Sequence, residues 1–182
     1  MKEEKALLKY QKHPQGIEAF HLLSEVTDEV FLSSRQGQWD NTALSHLPQI
    51  HDSFLDLGPM GGILSAMTQY PSRSWLVVAC DLPFLDLDTL QNLIEKRDPQ
   101  KLFTYYESHQ DGLPEPLCAI YEDRSKRRLM EALGEGIHCP RKVLLNSHSK
   151  GIKLLGDNTL ENINHRQEYL NLQKEGVFFA NQ

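Results

Sequence analysis

The spacing of apolar positions changes several times along the chain, and each change marks an element. From Trp75 the residues Leu76, Val77, Val78 and Ala79 are continuously apolar, as expected of a strand covered on both faces, and the run stops at Asp81 with Pro83 just beyond. Upstream, Ile17, Phe20, Leu23 and Val26 recur at helical spacing across 16–26, a strand is expected over 29–33, and Ile50 marks a short edge strand. The stretch 36–49 is polar and at best helical. A helix opens at Gly58-Pro59, with Met60, Ile63, Leu64 and Met67 along one face. Downstream, Leu87, Leu90, Leu93 and Ile94 mark a helix that ends near Asp98-Pro99, and strands over 102–106 and 117–121 flank a turn built on Asp111-Gly112. Leu129 and Leu133 predict another helix, ended by Gly134 or Gly136; a short helix begins at Pro140, and 152–155 reads as the last core strand. Alternating strand and helix signals predict an α/β fold, a mostly parallel sheet with helices on both faces.

Several residues in this pattern carry chemistry. Asp81 falls at the carboxyl end of its strand, where open α/β sheets bind ligands and where a carboxylate can hold a divalent cation. Capping the helix that starts near Asp86 or Asp88 is the competing role. Asp52 also follows an expected strand end, and an Asx turn is its plain alternative. Gly61 and Gly62 early in a helix cost roughly 1 kcal/mol each relative to alanine, so a close neighbour, either a ligand or packed chain, must offset them. Arg141 and Lys142 near the start of a short helix oppose its dipole and call for a bound anion or a carboxylate partner, unless they form a plain surface pair.

Composition narrows the function classes. The 182 residues are long enough for one well-buried domain and contain no Ser/Gly-rich or Pro-rich linker, so a single domain over 1–182 is expected. A formal net charge of −6 argues against a nucleic-acid partner, which would call for a basic stripe. The dense basic run Arg124, Lys126, Arg127, Arg128 reads as a solvated helix face. Cys80, Cys118 and Cys139 are odd in number and widely spaced, which suggests neither a disulfide framework nor a zinc site. The charged opening MKEEKALLKY carries no apolar export signal, and no apolar run reaches the roughly 18 residues of a membrane span; a cytoplasmic protein without a membrane partner is expected.

Cys80-Asp81-Leu82-Pro83-Phe84, with its apolar strand and the segment HDSFLDLGPMGGILSAM from His51 to Met67, resembles the molybdenum cofactor guanylyltransferases. The resemblance extends from about Lys5 to Tyr169. It implies a three-layer, Rossmann-like nucleotidyltransferase fold and transfer of GMP from GTP to molybdopterin or its molybdenum form, with Mg²⁺ as cofactor and pyrophosphate released. Glu4-Lys5-Ala6-Leu7-Leu8 is similar to the family's Asp-Lys-Ala-Leu-Leu, which implies that Lys5 faces the triphosphate, a task suited to a point charge on a flexible stem. The resemblance further implies that Asp81 holds the metal, that Asp52 reads guanine, and that Ser33, Gly58, Gly61 and Gly62 border the nucleotide. Arg141 and Lys142 would lie near the pterin phosphate. Glu115-Pro116-Leu117 resembles a substrate-site strand start that usually carries His or Gln before Pro-Leu, and Asn162 and Asn164 match an Asn-x-Asn before the family's final helix.

In the family an inner strand and a Leu-Ala-Gly-Gly loop precede the lysine, and this sequence carries neither ahead of Lys5. The first strand is therefore expected to be missing from the sheet, and the chain as written to bind GTP poorly. A misplaced gene start, a fragment and a true loss all fit that expectation. A cytidylyltransferase of the same fold and a catalytically silent binding or fusion module are the alternatives, and homo-oligomer or cofactor-biosynthesis protein partners stay open.

Overall fold

The computed structural model describes residues 4–9, 12–154 and 159–160. Two strands, β1 (Leu32–Ser34) and β2 (Gln49–His51), pair in parallel, with Ser33 opposite Ile50 and Ser34 opposite His51. The larger sheet comprises β3 (Trp75–Val78), β4 (Phe103–Glu107), β5 (Pro114–Tyr121) and β6 (Ser149–Lys153), in the order β3-β5-β4-β6. Within it β3, β4 and β6 run one way and β5 runs against them. The sheet is mostly parallel in strand direction, as expected, with β5 the antiparallel strand among the described residues, because the tight turn at Asp111-Gly112, with Gly112 at φ +69°, returns it against β4.

The helices are α1 (Gln15–Ser24), α2 (Pro59–Gln69), α3 (Leu87–Glu95), α4 (Ser125–Gly134) and α5 (Pro140–Leu145). They cover the large sheet on both faces, as the alternating pattern requires. On one face Met60, Leu64 and Met67 of α2, Leu129 of α4 and Val143 and Leu144 of α5 pack with Phe103 and Tyr121. On the other, Leu90 and Leu93 of α3 meet Tyr106, Cys118 and Ile120, with Leu22 and Leu23 of α1 at the margin. Leu90 and Leu93 are fully buried, each contributing roughly 1.5–3 kcal/mol relative to exposure.

Two expectations change. The polar stretch 36–49 forms turns and no helix; Trp39, Leu44 and Leu47 fold inward onto Ala6 and Ile17 as a third small core, which supplies the anchoring a helix would have given. The central strand is half-buried at all four positions, although its continuous apolar run predicts complete cover. The reason is local. Among the described residues β3 pairs only with β5 and β1 only with β2, and the outer edges of β3 and β1 border one cavity of about 390 Å³. Ala19, Phe20 and Leu23 of α1 and Pro59, Ile63 and Ala66 of α2 also line it. Of the basic run, Arg127 is exposed and pairs with Glu131 at 2.9 Å, Arg128 is half-buried and pairs with Glu135 at 3.3 Å, and Arg124, just before α4, donates to the Pro99 and Lys101 carbonyls.

Candidate active site

Asp81 lies three residues past Val78, in the turn at the carboxyl end of β3. It is not a helix cap: Asp86 caps α3, its Oδ1 accepting from the Thr89 N–H at 2.8 Å. Lys5 Nζ donates to Asp81 Oδ2 at 2.7 Å, so residues 76 positions apart in sequence meet at the sheet edge. Lys5 belongs to a short 3-10 turn, Lys5–Leu7, which Ala6 anchors by burial beside Ile17, Trp39 and Leu44. The Lys5 side chain is 42% exposed and that of Asp81 18%, so water and small ions reach the pair.

A second carboxylate stands at the ends of β1 and β2. The parallel pairing brings Ser33 and Asp52 together, and the Ser33 hydroxyl donates to Asp52 Oδ1 at 3.1 Å. Burial pushes the Asp52 carboxyl above its usual range, a shift that the Ser33 hydrogen bond and the charges of Arg35 and His51 only partly offset. Gly62 explains its own presence here: a Cβ would meet Ser33 Oγ at 2.3 Å and come within 3.5 Å of Asp52 Oδ1. At Gly61 a Cβ would meet the Phe54 carbonyl oxygen at 2.3 Å, so packing against chain excludes a side chain there. Gly58 precedes α2 at φ +55°, a left-handed turn into Pro59.

Beyond Asp81 lies a smaller cavity of about 150 Å³, bordered by Asp81, Glu115, Pro116, Cys118, Arg141 and Leu160 among others. Arg141 bridges two carboxylates, donating to Glu115 Oε2 at 3.2 Å and Asp111 Oδ2 at 3.5 Å. These are the carboxylate partners that the dipole argument called for, and the guanidinium also neutralises the charge that Glu115 brings to the site. Burial raises the Glu115 carboxyl above its usual range, while Arg141 and Ser108 pull it down. Lys142 is exposed and does not border this cavity. Asn162 and Asn164 lie outside the described residues.

The structure thus brings together Lys5 with Asp81, and Ser33 with Asp52 and Gly62. The pairing of Glu115 with Arg141, 26 positions apart, escaped the sequence pattern because nothing in it links a strand start to a distant helix start. The cysteines are free thiols, and burial pushes Cys80 up to about 11 and Cys118 up to about 12, so both stay protonated near neutrality. Among the described residues no group of three or more His, Cys, Asp or Glu is arranged to hold a metal, and no helix is long and apolar enough to cross a membrane.

The Lys5–Asp81 pair at the carboxyl edge of the sheet, with a second carboxylate beside glycines at the neighbouring strand ends, lies where open α/β sheets bind ligands. The chain belongs to the MobA-like NTP transferase domain family, whose sequence model matches residues 1–151. It is 36% identical over 169 residues to a molybdenum cofactor biosynthesis bifunctional protein of Synechocystis sp.; the match covers 93% of this chain but only 49% of that relative, so the chain spans about half its length. A probable molybdenum cofactor guanylyltransferase of Flavobacterium johnsoniae is 24% identical over 175 residues, covering 90% of this chain and 88% of the relative. The fold superposes on the 2-C-methyl-D-erythritol 4-phosphate cytidylyltransferase of Thermus thermophilus with a TM-score of 0.70 at 11% identity, over 95% of this chain and 94% of that one.

Proposed function

We propose that the chain transfers GMP from GTP to the terminal phosphate of molybdopterin or its molybdenum form. In the reaction a terminal phosphate oxygen of the acceptor attacks the α-phosphorus, a new phosphoanhydride forms, the bond from the α-phosphorus to the bridging oxygen breaks, and pyrophosphate leaves. The names of the curated relatives support this chemistry. The observation that carries it is the placing of Asp81, which borders both cavities: one shared with Ser33 and Gly62, the other with Glu115 and Arg141. Donor and acceptor could therefore approach one carboxylate from two sides.

Phosphoryl-type transfer needs positioning and neutralisation of charge more than covalent help. Lys5 Nζ, already at Asp81, can follow the triphosphate and screen the charge that develops on the leaving pyrophosphate. Asp52 accepts from the ring N–H and exocyclic amine of guanine, and the Ser33 hydroxyl, seated against Gly62, holds its Oδ1 in place. Arg141 and Lys142 on one short helix, with Asn162 and Asn164, would orient the pterin side of the acceptor. One carboxylate suits Mg²⁺, which keeps several waters and takes other ligands from phosphates; Asp81 would hold it, and the bound ion would supply neutralising charge.

The test is to incubate the chain with Mg²⁺, GTP and molybdopterin and to measure pyrophosphate together with the dinucleotide product. Equal formation of both, abolished by Asp81→Asn, is expected. Pyrophosphate release unaffected by the acceptor, or no product at all, would sink the reading.

A further inference from the structure

The ladder between β4 and β5 breaks next to the smaller cavity. Tyr105 stands opposite Ala119, but the next residue, Tyr106, stands opposite Glu115, so Pro116, Leu117 and Cys118 have no partner on β4. The excess chain is held in place, since the Tyr121 hydroxyl donates to the Pro116 carbonyl at 2.9 Å and the Ala79 N–H donates to the Leu117 carbonyl at 2.8 Å. Irregularities of this kind re-aim side chains, and this one sets Glu115 at the wall of the cavity that Asp81 also borders. The Glu115 side chain is only 22% exposed, and the Arg141 guanidinium lies against one of its oxygens.

An acceptor carboxylate beside a donor guanidinium is complementary to a heterocycle edge that offers a ring N–H and an amino group beside a carbonyl. That edge is the 2-amino-4-oxopyrimidine, and both guanine and pterin carry it. We propose that Glu115 and Arg141 form the specificity contact for the pterin ring of the acceptor: Glu115 takes its N–H and amino donors, and Arg141 donates to its carbonyl oxygen. The pterin is favoured over guanine because Asp52, the other partly buried carboxylate near the site, lies with Ser33 and Gly62 at the ends of β1 and β2, away from this cavity. One transferase thus reads the same edge twice, once on each side of Asp81. This inference rests on the proposed transfer of GMP to a pterin acceptor.

Free pterin is fluorescent and serves as the probe, with lumazine, in which a carbonyl replaces the 2-amino group, as its control. Titration into the parent chain, without and then with saturating Mg²⁺-GTP, is expected to show at least a tenfold preference for pterin in both cases, since a carboxylate repels the added carbonyl. Glu115→Gln, whose amide can turn either face, should reduce that preference to about threefold or less. Glu115→Asp keeps the charge and shortens the reach, so it should weaken pterin binding while retaining the preference. Thermal melts confirm that each variant is folded. Pterin binding by the parent with an unchanged preference in Glu115→Gln overturns the inference alone, as does displacement of pterin by GTP, which would make this the guanine site. A parent that binds GTP but no pterin up to millimolar concentration overturns both the inference and the acceptor reading.

Discussion

The two margins of the molecule treat their carboxylates in opposite ways. On the closed side, Glu122 at the end of β5 is 4% exposed, yet it accepts from Arg97 Nε and Nη2, each at 2.7 Å, and from the Ser74 hydroxyl at 2.7 Å. Burial alone would push its carboxyl up; the hydrogen bonds and charge of Arg97 and the Ser74 hydroxyl outweigh burial and hold it below the usual range. On the open side Asp52 has one hydroxyl donor, and burial leaves it above its usual range. A carboxylate whose lone pairs are satisfied within the chain holds the fold together. One left under-supplied with donors costs the fold something and keeps its capacity for a ligand.

The largest effect that can break this contrast is at Asp81. Asp81→Asn is expected to lower transferase kcat at least about a hundredfold, since an amide offers a cation no charge and that clamp is worth several kcal/mol. Its melting temperature should barely move, because a pair as exposed as Lys5 with Asp81 adds little to stability. Activity within about threefold of the parent would remove Asp81 from the chemistry.

Glu122→Gln should give the converse result, a loss of roughly 2 kcal/mol of stability at neutral pH by denaturant titration. The estimate lies below the usual figure for a broken buried pair because Arg97 is 39% exposed. The sign with pH follows from the lowered carboxyl: its contribution is present above the unfolded value and is lost as pH falls through the folded one. The gap between parent and variant should therefore close in acid. At Asp52 the linkage reverses, because a raised carboxyl favours folding when protonated and loses that contribution as pH rises.

A smaller, selective effect is expected at Asp52. Asp52→Ala should lower kcat/KM for GTP about tenfold relative to ATP and CTP, because only guanine presents a ring N–H and an amino group side by side. A uniform loss with all three nucleotides would assign Asp52 to structure.

Much of this arrangement is legible in the sequence wherever one residue sets its own local geometry. The helix at Pro59, the strand stop before Asp81 and the hairpin at Asp111-Gly112 follow from turn chemistry and apolar period. The site pairs were less accessible. Lys5 and Ser33 came forward as single residues through family resemblance, but neither their contacts with Asp81 and Asp52 nor the pairing of Glu115 with Arg141 came forward, because such contacts depend on strand order and on a break in the β5 ladder that no local pattern encodes. The half-buried β3 shows the same limit from the other side. Its apolar run reports the cover it is suited to, and the cavity beside it reports the cover that the described residues supply.

That cavity supplies the finest test of the comparison. Ala79 N–H donates to the Leu117 carbonyl, and donors alternate along an antiparallel ladder, so Val77 turns the same way while Leu76 and Val78 turn their N–H groups toward β1. Across the gap, Leu32 N–H donates to the Pro48 carbonyl at 2.8 Å, which turns Ser33 N–H toward β3. Amide hydrogen exchange followed by NMR at neutral pH should then find Leu76, Val78 and Ser33 exchanging at least about tenfold faster than Val77, Ala79 and Leu32, since the first three face the cavity and the others are bonded within a sheet. Mg²⁺-GTP should slow Ser33 more than Leu76, because the proposed base site adjoins β1. Equal protection of all six amides in the ligand-free chain would mean that the two edges are paired in solution, and the open margin would then be as closed as the one that holds Glu122.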